Sequence, residues 1–434
     1  MENLMIGYLS LAAIGVAIYA GMHVAVALAG ISFLGMWAIT GKTALALNFV
    51  ALAGTDSIAE YSFGVVPLFV LMGLAVSESG LGRDTFAIIA RSMRGWRGGL
   101  GVATVLSNAV FAAITGISIA SAAVFSRVAV PQMVAAGTSR TVAVGTVAGS
   151  SVLGMLIPPS LLLILFAILT DSSVGDLFLG GVGPGLVLAL AFGVYLTLLG
   201  WVRPALFDGP RTMGGAEETT PTVLIVPVLG LAALVLGGIY GGVFTPTEAG
   251  AVGAAAALGL AFAMRRIGGA GAWRMAVQTG HITAAVCFLI VGASIYSRML
   301  AFSGVPASVT QWAVASGIGP LGFLFLFALI VAAMGTILDS SSIMLVTVPL
   351  AFPITQELGI DVVHFGLVTV LAVEIGLLTP PLGLSVFVVQ ATLREEGVTL
   401  GEVFRGAAPF ATIMAVVLCA VILVPEIATG LVGR

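Results

Sequence analysis

The sequence predicts an all-α polytopic membrane protein made of two inverted repeats, each carrying a re-entrant helical hairpin and a broken transmembrane helix. Three observations carry this. Apolar residues fill 59% of the 434 positions and charged residues only 8%, where a soluble chain would hold about a quarter charged; the mean hydropathy is +1.19. Apolar runs long enough to cross a bilayer, about 20 residues each, recur from end to end, without the period-two alternation of a barrel. Two stretches of similar make-up, AAITGISIASAAVFSRVAVP from Ala112 and AAMGTILDSSSIMLVTVPLAFP from Ala332, each lead to an apolar segment broken by Pro-Pro, SSVLGMLIPPS and EIGLLTPPLGL. Lipid offers the backbone no hydrogen bonds, so a break at membrane depth needs protein or a water-filled cavity around it. Two such breaks at matching places in two halves point to a carrier's binding site.

Taken in order, residues 4–20 and 22–39 read as a helix pair. The first lacks the basic start of a cleaved signal peptide and is expected to be retained. Residues 42–61 are apolar but hold Asp56 and Glu60, so an interfacial position competes with a crossing. Residues 63–79 span. RDTFAIIARSMRGWRGG, from Arg83 to Gly99, has four arginines and reads as an amphipathic helix on the cytoplasmic surface, drawn to anionic lipid; a plain basic loop is the alternative. Residues 102–132 form the first tip region. Its arms, on either side of Gly116, look too short to span, which favours a re-entrant hairpin. Residues 141–170 are one apolar stretch interrupted at Pro158-Pro159. Residues 178–202 span, and the polar stretch RPALFDGPRTMGGAEETTP follows as the boundary between halves. Spans are expected at 223–240 and 249–264, then a basic loop with Arg265, Arg266 and Arg274. Residues 281–302 span, 321–353 form the second tip region, 362–393 are interrupted at Pro380-Pro381, and 407–424 span last.

The organisation that follows is N-terminal scaffold helices (1–62), a first repeat (63–202), a polar linker (203–221), further scaffold helices (222–280), a second repeat (281–405) and a C-terminal helix (406–434). FVLMG at 69–73 resembles FLIVG at 288–292, Pro131 corresponds to Pro349, and the two Pro-Pro pairs correspond, all at offsets of about 220 residues. Arginines cluster at 83–97, 203–211, 265–274 and 394–405, while the stretches 171–176, 240–248 and 304–311, read as loops, hold none. Basic residues stay on the cytoplasmic side, so one hairpin enters from the cytoplasm and the other from outside. The side of the N-terminus depends on whether 42–61 crosses.

Oxygen-rich residues gather at the breaks: Thr115, Gly116, Ser118 and Ser121 at the first tip; Gly149, Ser150, Ser151 and Gly154 in the first broken segment; Gly335, Thr336, Asp339, Ser340, Ser341 and Ser342 at the second tip; Glu374, Gly376 and Thr379 before the second Pro-Pro. Hydroxyls and unwound carbonyls suit Na⁺, and half-helix N-termini suit an anion. Singly, each small residue reads as helix packing more often than as a ligand; as groups at helix breaks they read as functional. Asp339 either coordinates a cation or caps the arm after it. Glu374 either pairs with a base or hydrogen-bonds a hairpin tip; an acid inside the membrane is a functional residue by default. His364 reads as an interface residue, not a proton relay. Cys287 and Cys419 read as small packing residues. Without HExxH, a Ser–His–Asp order or a phosphate-binding glycine loop, neither catalysis nor a transition-metal site has support, and no nucleic-acid partner is implied.

At TGISIASAAVFSRVAVPQMVAAG, SSVLGMLIPPSLLLILFA, GTILDSSSIMLVTVPLAFPITQELGIDVVHFG and EIGLLTPPLGLSVFVV the chain resembles the large membrane subunit of tripartite ATP-independent periplasmic (TRAP) transporters, over nearly its whole length. The resemblance implies a scaffold and a mobile domain of the ion transporter superfamily, a Na⁺-driven elevator in the bacterial inner membrane, a small four-helix membrane partner and a periplasmic substrate-binding protein. It implies a first clamshell with Ser118, Ser121, Gly154, Pro158 and Pro159, and a second with Gly335, Asp339, Glu374, Gly376, Thr379, Pro380 and Pro381. Read together with the breaks, the Na⁺ set is Ser118, Ser121, Gly149, Ser150, Gly154, Asp339, Ser340, Gly376 and Thr379. The substrate set is Ser118, Ser151, Pro158, Pro159, Ser341, Ser342, Glu374, Pro380, Pro381 and Ser385. Na⁺ is the coupling ion, and no cofactor is implied. Ile117 departs from the family where a small hydroxyl residue is frequent, and Ser385 where Asn is frequent. The small subunit is expected as a separate chain, because no extra four-helix block precedes the first helix. A stand-alone Na⁺/dicarboxylate symporter of the same superfamily is the alternative; a membrane enzyme or structural subunit would need a dyad or soluble domain that the sequence does not show.

Overall fold

The computed structural model describes residues 2–59, 61–93, 95–209 and 221–433. Among these residues the chain is helical throughout, with no strand. Glu60, Arg94 and most of the polar linker, including Arg211, lie outside them.

A wall comes first. Glu2–Tyr19, Val24–Thr40 and Thr43–Ala59 pack on one another and on Gly269–Ser303, while Val65–Glu78 packs between Gly269–Ser303 and Pro246–Ala263. Close contacts fix their directions. Gly7 touches Ser303 and Val305, and Tyr8 Oη meets Ser308 Oγ at 3.3 Å, so the start of the chain lies beside the end of Gly269–Ser303. Gly35 meets Met299 while Gly292 meets Ala25, so Val24–Thr40 runs parallel to that long helix. Phe49 stacks edge-on to Phe302, while Gly54 faces Val291 and Gly64 reaches Thr247. The N-terminal end falls on the arginine-poor side, beside 303–308, which charge counting left open.

The hairpins follow. Gly99–Thr115 and Ser118–Ala135 form the first, Pro320–Gly335 and Ser340–Glu357 the second. The far ends of the first hairpin, Gly98 and Gly137, touch Leu196 and Gly209 at the arginine-rich end of Val174–Val202. Its tip touches Pro159, well inside the chain's span. The hairpin is re-entrant in geometry, although its arms, at 17 and 18 residues, are longer than the sequence suggests; depth is set by where the tip stops, not by arm length.

Three expectations change. The stretch 304–311, read as a loop, begins the helix Val305–Ala315; it carries no charge, so nothing in the sequence marks it as amphipathic. It is the counterpart of Leu81–Ser92, and each follows a left-handed glycine, Gly304 at φ 79° and Gly80 at φ 73°. Arg274 is not in a loop: Gly269–Ser303 is one helix of 35 residues, so the expected boundary at 280/281 falls inside it. Leu81–Ser92 is the expected amphipathic helix, bent 58° from Val65–Glu78, but its apolar face lies on protein. Phe86 is fully buried and packs on Phe125 of the hairpin, with ring centroids 6.4 Å apart.

The two halves interlock around the broken helices. Arg140–Ser151, Leu153–Leu156 and Leu161–Thr170 make the first, Val362–Leu377 and Leu384–Thr392 the second. Gly145 and Gly406 bring Arg140–Ser151 and Leu400–Leu423 into backbone contact, and Arg140 pairs with Glu402 at 2.7 Å. Leu384–Thr392 packs along Ser118–Ala135, and Leu161–Thr170 along Ser340–Glu357. Each half thus finishes the other.

Candidate functional site

Each tip is seated on the break of its own half. At the first, Gly116 (φ 65°) turns the chain and its carbonyl accepts from Leu161 N–H at 3.2 Å. Only a residue without a side chain takes this turn, because a methyl group on Gly116 would strike the Pro159 carbonyl. At the second, the Thr336 carbonyl accepts from Leu382 N–H at 3.1 Å. Gly335 and Gly376 meet there backbone to backbone; a methyl group on Gly335 would lie 2.8 Å from Gly376 Cα. Both Pro158-Pro159 and Pro380-Pro381 are cis.

Four helix N-termini therefore converge at mid-depth: those of Ser118–Ala135, Leu161–Thr170, Ser340–Glu357 and Leu384–Thr392. Unpaired N–H groups there carry partial positive charge. Two are capped by their own sequence. Ser160 Oγ accepts from Leu163 N–H at 3.3 Å, and Asp339 accepts from Ser342 N–H at 3.1 Å and from the Ser342 hydroxyl. The other two have no side-chain cap, because Ile117 and Gly383 offer no oxygen. The uncapped pair pack side by side, one helix from each half.

One bond crosses between the halves at this level. Ser118 Oγ lies 3.2 and 3.3 Å from the two carboxylate oxygens of Glu374. Glu374 is buried, 1% exposed, and no base approaches it among the described residues. Of the two roles open to it, hydrogen-bonding a hairpin tip is the one seen. Asp339 likewise takes the capping role.

Residues 10–427 match the family described as tripartite ATP-independent periplasmic transporter, DctM component. The chain is 33% identical to the C4-dicarboxylate TRAP transporter large permease protein DctM of Pseudomonas aeruginosa, over 86% of each chain. It is 28% identical to the sialic acid TRAP transporter large permease protein SiaM of Vibrio cholerae, over 94% of each. The chain belongs to the DctM family. It is a TRAP large permease, a multi-pass protein of the bacterial inner membrane and not an enzyme. The fold is also similar to the crystal structure of the Alcanivorax borkumensis YdaH transporter, with a TM-score of 0.61, 17% identity and 89% of both chains covered.

The other expected site residues of this DctM chain separate into groups. Ser118, Gly154, Pro158 and Pro159 meet at the first tip, with Gly154 facing the backbone of Ile117 and Ser118. Asp339, Ser340, Ser341, Ser342, Gly376, Thr379, Pro380 and Pro381 surround the second; the Thr379 hydroxyl is turned back on the Ile375 carbonyl at 2.7 Å. Ser121 and Ser385 are fully buried and their hydroxyls have no partner among the described residues. Gly149 stands apart, pressed on the Phe410 ring inside a helix that runs unbroken to Ser151; the unwound backbone begins at Ile157, not at 149–154. Ser150 and Ser151 turn their hydroxyls to Thr146 and Ala148 carbonyls. His364 is buried and its Nε2 lies 2.8 Å from the Val421 carbonyl. Cys419 is exposed, so packing does not account for it.

The sequence reading missed Asn108, which is buried and donates from Nδ2 to Ser150 Oγ at 2.7 Å. Its Oδ1 and the hydroxyls of Ser107, Ser121 and Ser126 have no partner among the described residues, all on the first hairpin. A lone amide in an apolar arm was the available signal. Arg298 was missed too: it sits on the arginine-poor side, paired with Asp56 at 2.8 Å, beside a cavity of about 330 Å³ between the wall and Leu161–Thr170.

Proposed function

We propose that this permease takes up an organic anion, a carboxylate or sugar acid, by Na⁺-driven secondary transport. The observation that carries the reading is the pair of uncapped helix N-termini, at Ser118 and Leu384, brought together from opposite halves. Free N–H groups and dipole ends favour an anionic group there, and the buried, unpartnered Ser385 hydroxyl can donate to it. The orphan oxygens of Asn108, Ser107, Ser121 and Ser126 supply the hard donors that Na⁺ prefers near the first tip, and Asp339 with Thr379 supplies a second group near the other. The names of the relatives, C4-dicarboxylate and sialic acid permeases, fit a carboxylate cargo.

The hairpins and broken helices form the moving unit, and the helices up to Glu78 together with those from Ile225 to Ser303 form the wall, so that access alternates by an elevator motion. A periplasmic binding protein delivers the anion, and a small four-helix subunit, a separate chain, covers the wall. The isethionate relative of Oleidesulfovibrio alaskensis is named TRAP transporter permease protein DctMQ, and this chain spans 62% of it, which leaves room there for a further component.

The test is uptake into proteoliposomes holding this chain with its small subunit, offered labelled succinate or sialic acid with the matching binding protein. Uptake is expected only with an inward Na⁺ gradient, and Asp339→Asn is expected to weaken the sodium dependence. Uptake that follows a proton gradient and ignores sodium overturns the coupling. Uptake without any binding protein overturns the tripartite reading in favour of a stand-alone symporter.

A further inference from the structure

The wall meets a hairpin tip at one close point. Gly73 of Val65–Glu78 lies on the backbone of Thr115, the last residue of the first arm, where an added methyl group would stand 2.9 Å from the Thr115 carbonyl oxygen and 3.3 Å from its Cα. At the equivalent glycine of the second half, Gly292, the space is already filled by Ala25 of Val24–Thr40: an added methyl group would stand 2.9 Å from the Ala25 carbonyl oxygen. The seat that Gly73 offers the first tip is therefore taken, at the equivalent place in the second half, by the wall itself. Burial follows this difference. Thr115, Gly116, Pro158 and Pro159 are buried, whereas Ile337 is 53% and Leu382 43% exposed at the second tip and break.

We propose that Gly73 is a docking notch for the first tip, and that its occupation holds the facing state seen here, with the first tip covered and the second open. The proposal rests on the wall and moving-unit reading above. Gly73 is a positioning residue: it touches no cargo, and it acts by letting two backbones come within a distance that no other residue allows. Filling the notch penalises the docked state alone, because only there does Thr115 stand against it. The carrier then shifts towards the state in which the first tip is undocked.

The experiment reads tip accessibility in nanodiscs, open to reagent on both faces. Cysteines are placed singly at Ile117 and Leu382 after Cys287 and Cys419 are replaced, and their rates of reaction with a polar maleimide are compared in parent, Gly73→Ala and Gly73→Val. Gly237→Val is the control, since Gly237 lies in the last turn of Ile225–Tyr240, in the wall, with open space around it. Expected is a rise at Ile117 with a fall at Leu382, changing the ratio of rates about tenfold in Gly73→Val and less in Gly73→Ala, with no change in Gly237→Val. An unchanged ratio in Gly73→Ala, or an equal change in the control, overturns the proposal, and the alanine variant decides it even where the valine variant misfolds. Because labelling needs neither sodium nor cargo, a failure of sodium-driven uptake leaves this result standing.

Discussion

The two hairpin tips do the same geometric task with different chemistry. The first is covered, starts its second arm without a cap, and carries orphan oxygens on both arms. The second is exposed, and its arm is capped by Asp339, with the Ser342 hydroxyl turned onto the same carboxylate. A helix N-terminus that is already satisfied has little left for a ligand, so under the proposed function the anion falls to the first tip and its cross-half neighbour Leu384–Thr392. The second tip is left as the more self-sufficient element, free to open without losing its own fold.

Breaking the bond between the halves should have the largest effect. Glu374→Ala strands the Ser118 hydroxyl and opens a hole in a buried place; a buried polar group left without its partner costs about 1–3 kcal/mol, so initial uptake should fall about ten- to a hundredfold, with Glu374→Gln retaining part of it. Uptake by Glu374→Ala within threefold of the parent would show that the Ser118–Glu374 bond is not what holds the halves in register. Next comes the glycine pair at the second tip. Gly376→Ala pushes a methyl group into Gly335, an overpacking worth about 1–3 kcal/mol, read as a lowered melting temperature in detergent; a melting temperature equal to the parent's would mean that the second tip yields freely.

Removing the second cap is smaller. Asp339→Ala should cost about 1 kcal/mol, and Asp339→Ser much less, because serine caps nearly as well; equal losses in both would point to a role for the carboxylate beyond capping. Smallest is the reverse change at the first tip. Ile117→Ser supplies the missing cap, so stability should rise by about 0.5 kcal/mol while anion affinity falls a few-fold, since the new hydroxyl competes for the same N–H groups. Tighter anion binding in this variant would remove the distinction between the tips.

The parts legible in the sequence were those written locally. Pro158-Pro159 and Pro380-Pro381 break helices wherever they stand, and Gly116 two residues before Ser118 announces a turn followed by a helix start. What stayed hidden depends on what lies opposite. Gly149 reads like a ligand glycine until Phe410 is seen against it. Asn108 is one amide among apolar neighbours until Ser150 faces it. Arg274 reads as a loop charge because polarity is the usual sign of a loop, yet Gly269–Ser303, at about 1.5 Å per residue, is longer than a bilayer core of about 30 Å is thick, and its surplus length accommodates charge without ending the helix. The N-terminal side was unreadable because no Lys or Arg precedes Lys42.

The contact between Gly145 and Gly406 has a consequence for biosynthesis. Its neighbouring ion pair, Arg140 with Glu402, joins residues 262 apart. At about 5–20 residues per second, the ribosome needs about 13–50 s after making the first broken helix before its partner exists. Through that interval the first hairpin, its buried hydroxyls and the Pro158-Pro159 break sit in the bilayer without the elements that finally enclose them. The insertion machinery, or lipid headgroups and water drawn inward, must shelter them until the last crossing helix leaves the translocon, which makes the C-terminal segment the step that completes the carrier.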